Sequence, residues 1–168
     1  MVQGFTNLIR RIRYQGAYNK KENALREFTK LNINESNFIL TTDSIPKNIG
    51  DNFDYFVVGS DQVWNPFFRK GSPIDFLTFA PQNKRIAYAP SFGISDIPYE
   101  YKNDYKKWLS EFSYLSVRED TGAKIIKNMT DRDAQVLVDP TLMLSREKWL
   151  NISNPSPLKP YKPFITTY

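Results

Sequence analysis

The stretch Tyr55-Phe56-Val57-Val58-Gly59 decides the fold class, because it is a short, uninterrupted apolar run that ends in glycine. Such a run is typical of a strand buried on both faces of a parallel sheet. Three similar runs follow along the chain, at 85–89, 114–117 and 135–138, and another begins at 164–168. The sequence therefore predicts several parallel strands.

Helical patterns lie between several of these runs. Residues 101–112 place five large apolar side chains at helical spacing, 121–129 form a shorter helical pattern, and a helix is expected from about Ser145. An earlier helix is predicted over 21–31. Strands that alternate with helices predict βαβ units, and so an α/β fold with a Rossmann-like, mostly parallel sheet and flanking helices.

The composition narrows the possible chemistry. The chain has 168 residues, a formal net charge of +5, no Cys and no His. Disulfides and catalysis by Cys or His are thereby excluded, and no metal site is predicted. Neither a Walker A motif nor a glycine-rich dinucleotide motif is present in the sequence. The positive charge permits an anionic ligand without requiring one.

Basic residues concentrate near the start of the chain, at Arg10, Arg11, Arg13, Lys20 and Lys21. They form either a solvated helix face or a patch for nucleic acid or a membrane surface. We expect the solvated face, no nucleic-acid partner and at most peripheral membrane contact. No apolar run has the length of about 20 residues that spans a bilayer, and no signal peptide is evident, so a cytoplasmic location is predicted.

Ligands of open parallel sheets bind beyond the carboxyl ends of the strands, so the residues that follow each apolar run are the candidate site. Six residues after the first run could form such a site, with polar groups, a flexible glycine and a flat aromatic face. They are Gly59, Ser60, Asp61, Gln62, Trp64 and Asn65. The alternative is a turn whose polar groups satisfy local backbone, with Trp64 in the core.

Similar alternatives apply to the later runs. Ser91 and Gly93 either present a hydroxyl and amides to an anion or belong to a loop around a buried Phe92. Arg118, directly before a predicted helix, either binds a phosphate or carboxylate or pairs with Glu119, Asp120 or Asp61. Asp139 either caps the next turn or hydrogen-bonds a ligand, and the turn is favoured.

Four blocks of the sequence resemble the polysaccharide pyruvyl transferase family, in the order the family has them. The first block is the Gly-Ser-Asp-Gln-x-Trp segment within 57–66, and the others lie at 85–93, 116–119 and 138–141, the last accompanied by Trp149. One such block would be weak evidence, whereas four in order form a specific pattern over roughly residues 50–150.

The resemblance implies one half of a GT-B-like fold with two Rossmann-like domains. It implies transfer of pyruvate from phosphoenolpyruvate to sugar hydroxyls as a ketal, in surface or exopolysaccharide biosynthesis, with no cofactor. The acceptor would be a glycan or a lipid-linked saccharide. Arg118 is the expected catalytic residue, as an anion contact. The expected substrate-binding residues are Gly59, Ser60, Asp61, Gln62, Trp64, Asn65, Ser91 and Gly93.

The domain organisation expected from this resemblance has three parts. Residues 1–150 form the N-terminal domain, 151–163 a proline-rich linker and 164–168 the start of a truncated second domain. The family's glycine-bearing first strand is not recognisable before residue 20, and the family's C-terminal domain is expected to be missing. The chain is therefore expected to be a fragment with negligible activity alone. The alternative is a catalytically inactive, GT-B-like module that binds a glycan or a nucleotide sugar.

Overall fold

The structure is a computed structural model that describes residues 2–153 and 160–165, with side chains described from residue 15 onward except at position 17. It divides into two compact units, Met1–Ile39 and Leu40–Tyr168. Helix α1 (Val2–Asn32) forms most of the first unit. It starts well before the predicted 21–31 segment, and the residues ahead of that segment contain no proline that would break a helix.

The basic cluster predicted near the start of the chain lies on α1. The side chains of Arg10, Arg11 and Arg13 fall outside the described part of the structure, whereas Lys20 and Lys21 are exposed. Exposure of these two lysines agrees with a solvated helix face.

The second unit is built on a sheet of four parallel strands flanked by helices. This confirms the predicted α/β fold and is consistent with a Rossmann-like half-domain. The strands are β1 (Phe56–Val58), β2 (Arg85–Ala87), β3 (Tyr114–Val117) and β4 (Gln135–Val136). They lie in the order β1-β2-β3-β4, and every neighbouring pair is parallel. The carboxyl ends of all four strands therefore lie along one edge of the sheet.

Three of the strands, β1, β2 and β4, end earlier than the apolar runs predict. In β1 and β2 the reason is that the backbone turns away from the extended conformation. Gly59 has φ +135° and Ala89 has φ +47°, so neither residue continues its strand. The Ser116 hydroxyl satisfies two backbone groups at the end of β2, because it donates to the Ala87 carbonyl at 2.7 Å and accepts from the Ala89 amide at 2.9 Å.

The described residues of this unit also form four helices and four 3-10 turns. The helices are α2 (Pro66–Arg69), α3 (Tyr99–Ser110), α4 (Asp120–Thr130) and α5 (Arg146–Ile152). The 3-10 turns are Ile49–Asp51, Pro73–Phe76, Gln82–Lys84 and Pro140–Met143. None of the described helices is long and apolar enough to cross a membrane.

The predicted helices are present, and α5 begins where it was expected because the Ser145 side chain accepts a hydrogen bond from the Lys148 amide. The predicted linker at 151–163 includes residues 154–159, and the predicted last strand at 164–168 includes residues 166–168. Residues 154–159 and 166–168 lie outside the described residues.

The core lies on one face of the sheet. Val58, Ala87 and Leu115 are aligned by the strand register and are all buried. On the opposite face of the same strands, Val57 and Tyr114 are each 60% exposed. The buried face packs with apolar side chains of the helices, and each large side chain removed from water contributes roughly 1.5–3 kcal/mol to folding. This packing holds the loops at the carboxyl edge in place.

Candidate active site

A cluster of charged and hydroxyl side chains lies at the carboxyl edge of the sheet. It contains Ser60 and Asp61 after β1, Arg118 after β3 and Asp139 after β4. Residues 79 positions apart in the chain thus meet directly, because the four parallel strands end at the same edge. This is the edge at which open α/β sheets bind their ligands.

Asp139 is the centre of the cluster. Its Oδ2 atom accepts hydrogen bonds from Ser60 Oγ at 2.6 Å and from Arg118 Nη1 at 3.2 Å. Its Oδ1 atom accepts from the backbone amide and the hydroxyl of Thr141, at 3.0 and 2.7 Å. These bonds, that of Ser60 first, hold the pKa of Asp139 well below its usual range. Asp139 therefore stays anionic at neutral pH and holds Arg118 in position.

The favoured interpretation of Asp139, a cap on the following turn, is correct. Its side chain caps the 3-10 turn Pro140–Met143 through the Thr141 amide. The same carboxylate also bonds Ser60 and Arg118, which sequence reasoning did not foresee. Asp139 has two carboxylate oxygens, and so it can serve the turn with one and the cluster with the other.

Arg118 lies between two carboxylates. Besides its bond to Asp139, its Nη2 atom is 3.6 Å from Asp61 Oδ1. The pair with Asp61 was one of the predicted alternatives. The pairs with Glu119 and Asp120 are absent among the ion pairs of the described residues. The Arg118 side chain is 31% exposed, so it is partly accessible to solvent at the edge of the sheet.

Ser91 does not face the cleft in the way an anion contact requires. It is 3% exposed, and its hydroxyl donates to Glu119 Oε1 at 3.1 Å. The same oxygen accepts the Phe92 amide at 2.9 Å, and Phe92 is buried as the structural alternative predicted. Glu119 was not foreseen as a site residue. It joins the loops after β2 and β3, and Ser91 contributes to that link.

Trp64 does not offer a flat face to a ligand, and here the structure corrects the sequence-based expectation. Its side chain is completely buried and stacks on Phe76 with ring centroids 5.2 Å apart and an interplanar angle of 1°. Its indole Nε1 donates to the Asp75 carbonyl at 2.8 Å. A large aromatic side chain with a satisfied N–H is stable inside the core, which is where the alternative interpretation placed it.

The two glycines of the predicted site permit close packing between loops. A Cβ atom at Gly59 would lie 1.9 Å from the Tyr88 carbonyl oxygen, and one at Gly93 would lie 2.2 Å from Gln62 Oε1. Both residues also have φ in the range that disfavours L side chains, at +135° and +62°. Each glycine is required by its protein neighbours.

Asn65 and Gln62 form a small hydrogen-bonded pair beside these loops. Asn65 is 4% exposed, and its Oδ1 accepts the Phe67 amide at 3.0 Å, which caps helix α2. Its Nδ2 donates to Gln62 Oε1 at 2.9 Å. Asn65 is therefore buried and structural, whereas Gln62 is partly exposed.

An open depression of about 520 Å³ lies next to the cluster. It is lined by Asp61, Gln62, Val63, Phe68 and Arg69. Two of the predicted substrate-binding residues, Asp61 and Gln62, thus line it, whereas Phe68 and Arg69 were missed. The available signal was the pair of consecutive aromatic residues that follows Asn65-Pro66 at a helix start.

The described residues contain no group of three or more carboxylates that could hold a metal ion. The charged groups of the cluster instead bond one another, with Arg118 between Asp61 and Asp139. The Arg118 guanidinium can therefore exchange one of its carboxylate partners for an oxyanion, and the carboxylates of the cluster can accept hydrogen bonds from a ligand.

The family model for polysaccharide pyruvyl transferase matches residues 6–167. The match covers nearly the whole chain and includes every residue of the cluster and the depression. The protein belongs to the polysaccharide pyruvyl transferase family, a family of transferases. No curated protein and no solved structure shows a significant match to the chain.

Proposed function

We propose that the protein transfers pyruvate from phosphoenolpyruvate to two hydroxyls of one sugar, in the synthesis of a surface polysaccharide. Membership of the family supports the transferase class. The observation that carries the finer proposal is the position of Arg118, whose partly exposed side chain is held by Asp139 at the carboxyl edge of a parallel sheet. Such a guanidinium is suited to phosphate and carboxylate groups.

The proposed reaction balances without an external oxidant or reductant. The methylene carbon of phosphoenolpyruvate gains a proton and becomes a methyl group. One sugar hydroxyl oxygen bonds to C2, the bond from C2 to the phosphate oxygen breaks, and the second hydroxyl oxygen bonds to the same carbon. Of the two hydroxyl protons, one ends on the methyl group and the other on the released phosphate. The steps are polar, so the proposal includes no cofactor.

Binding of phosphoenolpyruvate requires Arg118 to exchange one partner. Arg118, Asp61 and Asp139 together carry a charge of −1, which does not attract an anion. The contact with Asp61 is long, at 3.6 Å, and the Asp61 side chain is 88% exposed. Exposed pairs of this kind contribute only about 0–1 kcal/mol. The phosphate or carboxylate of the donor can therefore replace Asp61, while Asp139 keeps holding Arg118.

Replacement of Asp61 has a consequence for the acceptor. A carboxylate released from Arg118 can accept a hydrogen bond from a sugar hydroxyl close to the bound donor. The acceptor we propose is a glycan or a lipid-linked saccharide. We also propose a cytoplasmic location, because phosphoenolpyruvate is made and used there.

The test uses the full-length protein with phosphoenolpyruvate and a panel of p-nitrophenyl hexopyranosides. Released phosphate and the methyl signal of the ketal in the NMR spectrum are measured together. Arg118→Ala should raise the KM for phosphoenolpyruvate about 10- to 150-fold, the effect of losing a hydrogen bond between charged groups of about 1.5–3 kcal/mol. Arg118→Lys should recover part of the loss, because it restores the charge without the planar fork.

Arg146→Ala is the matched control, since Arg146 is an exposed arginine at the start of α5. It should leave the KM for phosphoenolpyruvate unchanged. An unchanged KM in Arg118→Ala would refute the role of Arg118. Saccharide binding by the wild type without release of phosphate from phosphoenolpyruvate would favour the inactive glycan-binding module instead.

A further inference from the structure

We infer that the depression beside Asp61 is the acceptor subsite, in which a neutral sugar ring stacks on Phe68 and its hydroxyls bond Asp61 and Gln62. The role of the bound sugar as acceptor rests on the proposed function, whereas the binding itself is argued from the residues of the depression. The volume of about 520 Å³ lies within the range of small-molecule sites, roughly 300–1,000 Å³.

Phe68 supplies the apolar face of this subsite. Helix α2 begins at the buried Pro66, and the short helix turns its next two side chains outward, so that Phe67 is 69% and Phe68 is 70% exposed. Of these two rings, Phe68 lines the depression. The C–H face of a pyranose is apolar and flat enough to pack on such a ring, which removes both surfaces from water.

Polar groups stand beside the ring on the side of the charged cluster. Asp61 lines the depression and is highly exposed, and its carboxylate accepts hydrogen bonds from hydroxyl groups. Gln62 is held in place, because its Oε1 accepts from Asn65 and its amide packs on Gly93. An aromatic face next to fixed polar groups is the arrangement that recognises a polyhydroxylated ring.

The charges in the depression favour a neutral ligand over a phosphate or a nucleotide. Arg69 lines the depression, but its Nε and Nη2 atoms form a bidentate pair with the Asp75 carboxylate, both at 2.9 Å. This pair raises the pKa of Arg69 and balances its charge. The remaining charged lining residue is Asp61, which forms with Arg118 and Asp139 a cluster of net charge −1 that disfavours an anion in the depression.

Asp61 belongs to both the depression and the cluster, since its Oδ1 is 3.6 Å from Arg118 Nη2. A sugar bound on Phe68 therefore places a hydroxyl near the guanidinium proposed to hold the donor. One residue thus connects the two proposed subsites, and exchange of Arg118 from Asp61 to the donor would prepare Asp61 for the acceptor.

The test compares Phe68→Ala with Phe67→Ala in the full-length protein. The two rings are equally exposed on the same helix, and the depression is lined by Phe68. Binding of p-nitrophenyl hexopyranosides is followed by saturation-transfer NMR, with uridine monophosphate as the anionic probe. Phe68→Ala should weaken saccharide binding about tenfold, and Phe67→Ala should leave it unchanged. Asp61→Asn should also weaken it, and neither Phe variant should change the affinity for phosphoenolpyruvate.

Each outcome has a defined meaning. Equal losses in both Phe variants would overturn the subsite, because saccharide binding would then not depend specifically on the ring that lines the depression. Phe68-dependent binding of uridine monophosphate without saccharide binding would overturn the choice of a neutral sugar. Saccharide binding that depends on Phe68 in a protein without turnover would support the subsite and refute the proposed transfer, so the two failures are distinguishable. Thermal melting confirms that the variants fold.

Discussion

Replacement of Trp64 tests whether its side chain belongs to the core or offers a flat face to a ligand, the two interpretations that the sequence left open. The side chain is completely buried, stacks on Phe76 and donates to the Asp75 carbonyl. Truncation of Trp to Ala in a core typically costs about 3–5 kcal/mol, from lost burial and the cavity left behind. The total stability of a natural domain is about 5–15 kcal/mol, so Trp64→Ala should remove a large share of it.

The corresponding shift in melting temperature is large enough to measure with certainty. At roughly 2–4 °C per kcal/mol for a chain of this size, Trp64→Ala should lower Tm by about 6–20 °C. Trp64→Phe keeps most of the ring but deletes the indole N–H, so it should lose about 1 kcal/mol from the hydrogen bond and a further packing loss. Phe68→Ala should change stability by no more than about 0.5 kcal/mol, because Phe68 is 70% exposed.

Differential scanning fluorimetry and urea denaturation measure these changes, and saccharide titration measures binding in the same variants. We expect Trp64→Phe to lose stability and keep saccharide affinity, and Phe68→Ala to do the opposite. The reasoning is refuted if Trp64→Phe weakens saccharide binding while its Tm stays at the wild-type value, because the indole would then face the ligand.

Two further predictions concern the loops at the carboxyl edge. Gly59→Ala should destabilise the protein by roughly 2–4 kcal/mol, because its Cβ would lie 1.9 Å from the Tyr88 carbonyl oxygen at φ +135°; Gly16→Ala, with no atom within 4 Å, should not lower Tm. The depressed pKa of Asp139 predicts that its stabilising contribution is present above about pH 4 and is lost as the pH falls further. The difference in urea midpoint between wild type and Asp139→Asn should therefore shrink from pH 6 to pH 3, and a constant difference would contradict it.

Much of the architecture was predictable because it depends on local patterns. The continuous apolar runs at 85–89 and 114–117 contain the parallel strands β2 and β3, as predicted. The predicted burial of the first run on both faces is wrong, because Val57 in β1 is 60% exposed. The strand ends were less predictable. Gly59 and Ala89 leave the extended conformation for reasons of packing with neighbouring loops, and a run of apolar letters does not encode that departure.

The candidate site shows the same division. Residue types after the strands indicated a polar edge, and Asp61, Gln62 and Arg118 do lie at it. Ser91 was expected there on equal grounds, yet its hydroxyl is buried against Glu119. Ser91 and Arg118 each follow a strand, and the direction in which each side chain points depends on the loop that carries it.

The sequence by itself determined the α/β class, the succession of strands along the chain and the family, because hydrophobic periodicity and ordered motifs are properties of neighbouring residues. Only the tertiary structure decided which side chains of Tyr55-Phe56-Val57-Val58-Gly59 and the residues after it face a neighbour or solvent. The contact between Ser60 and Asp139, the burial of Trp64 and the exposure of Phe68 all depend on segments brought together by folding. Such contacts depend on packing across the sheet edge, which no spacing along the chain can express.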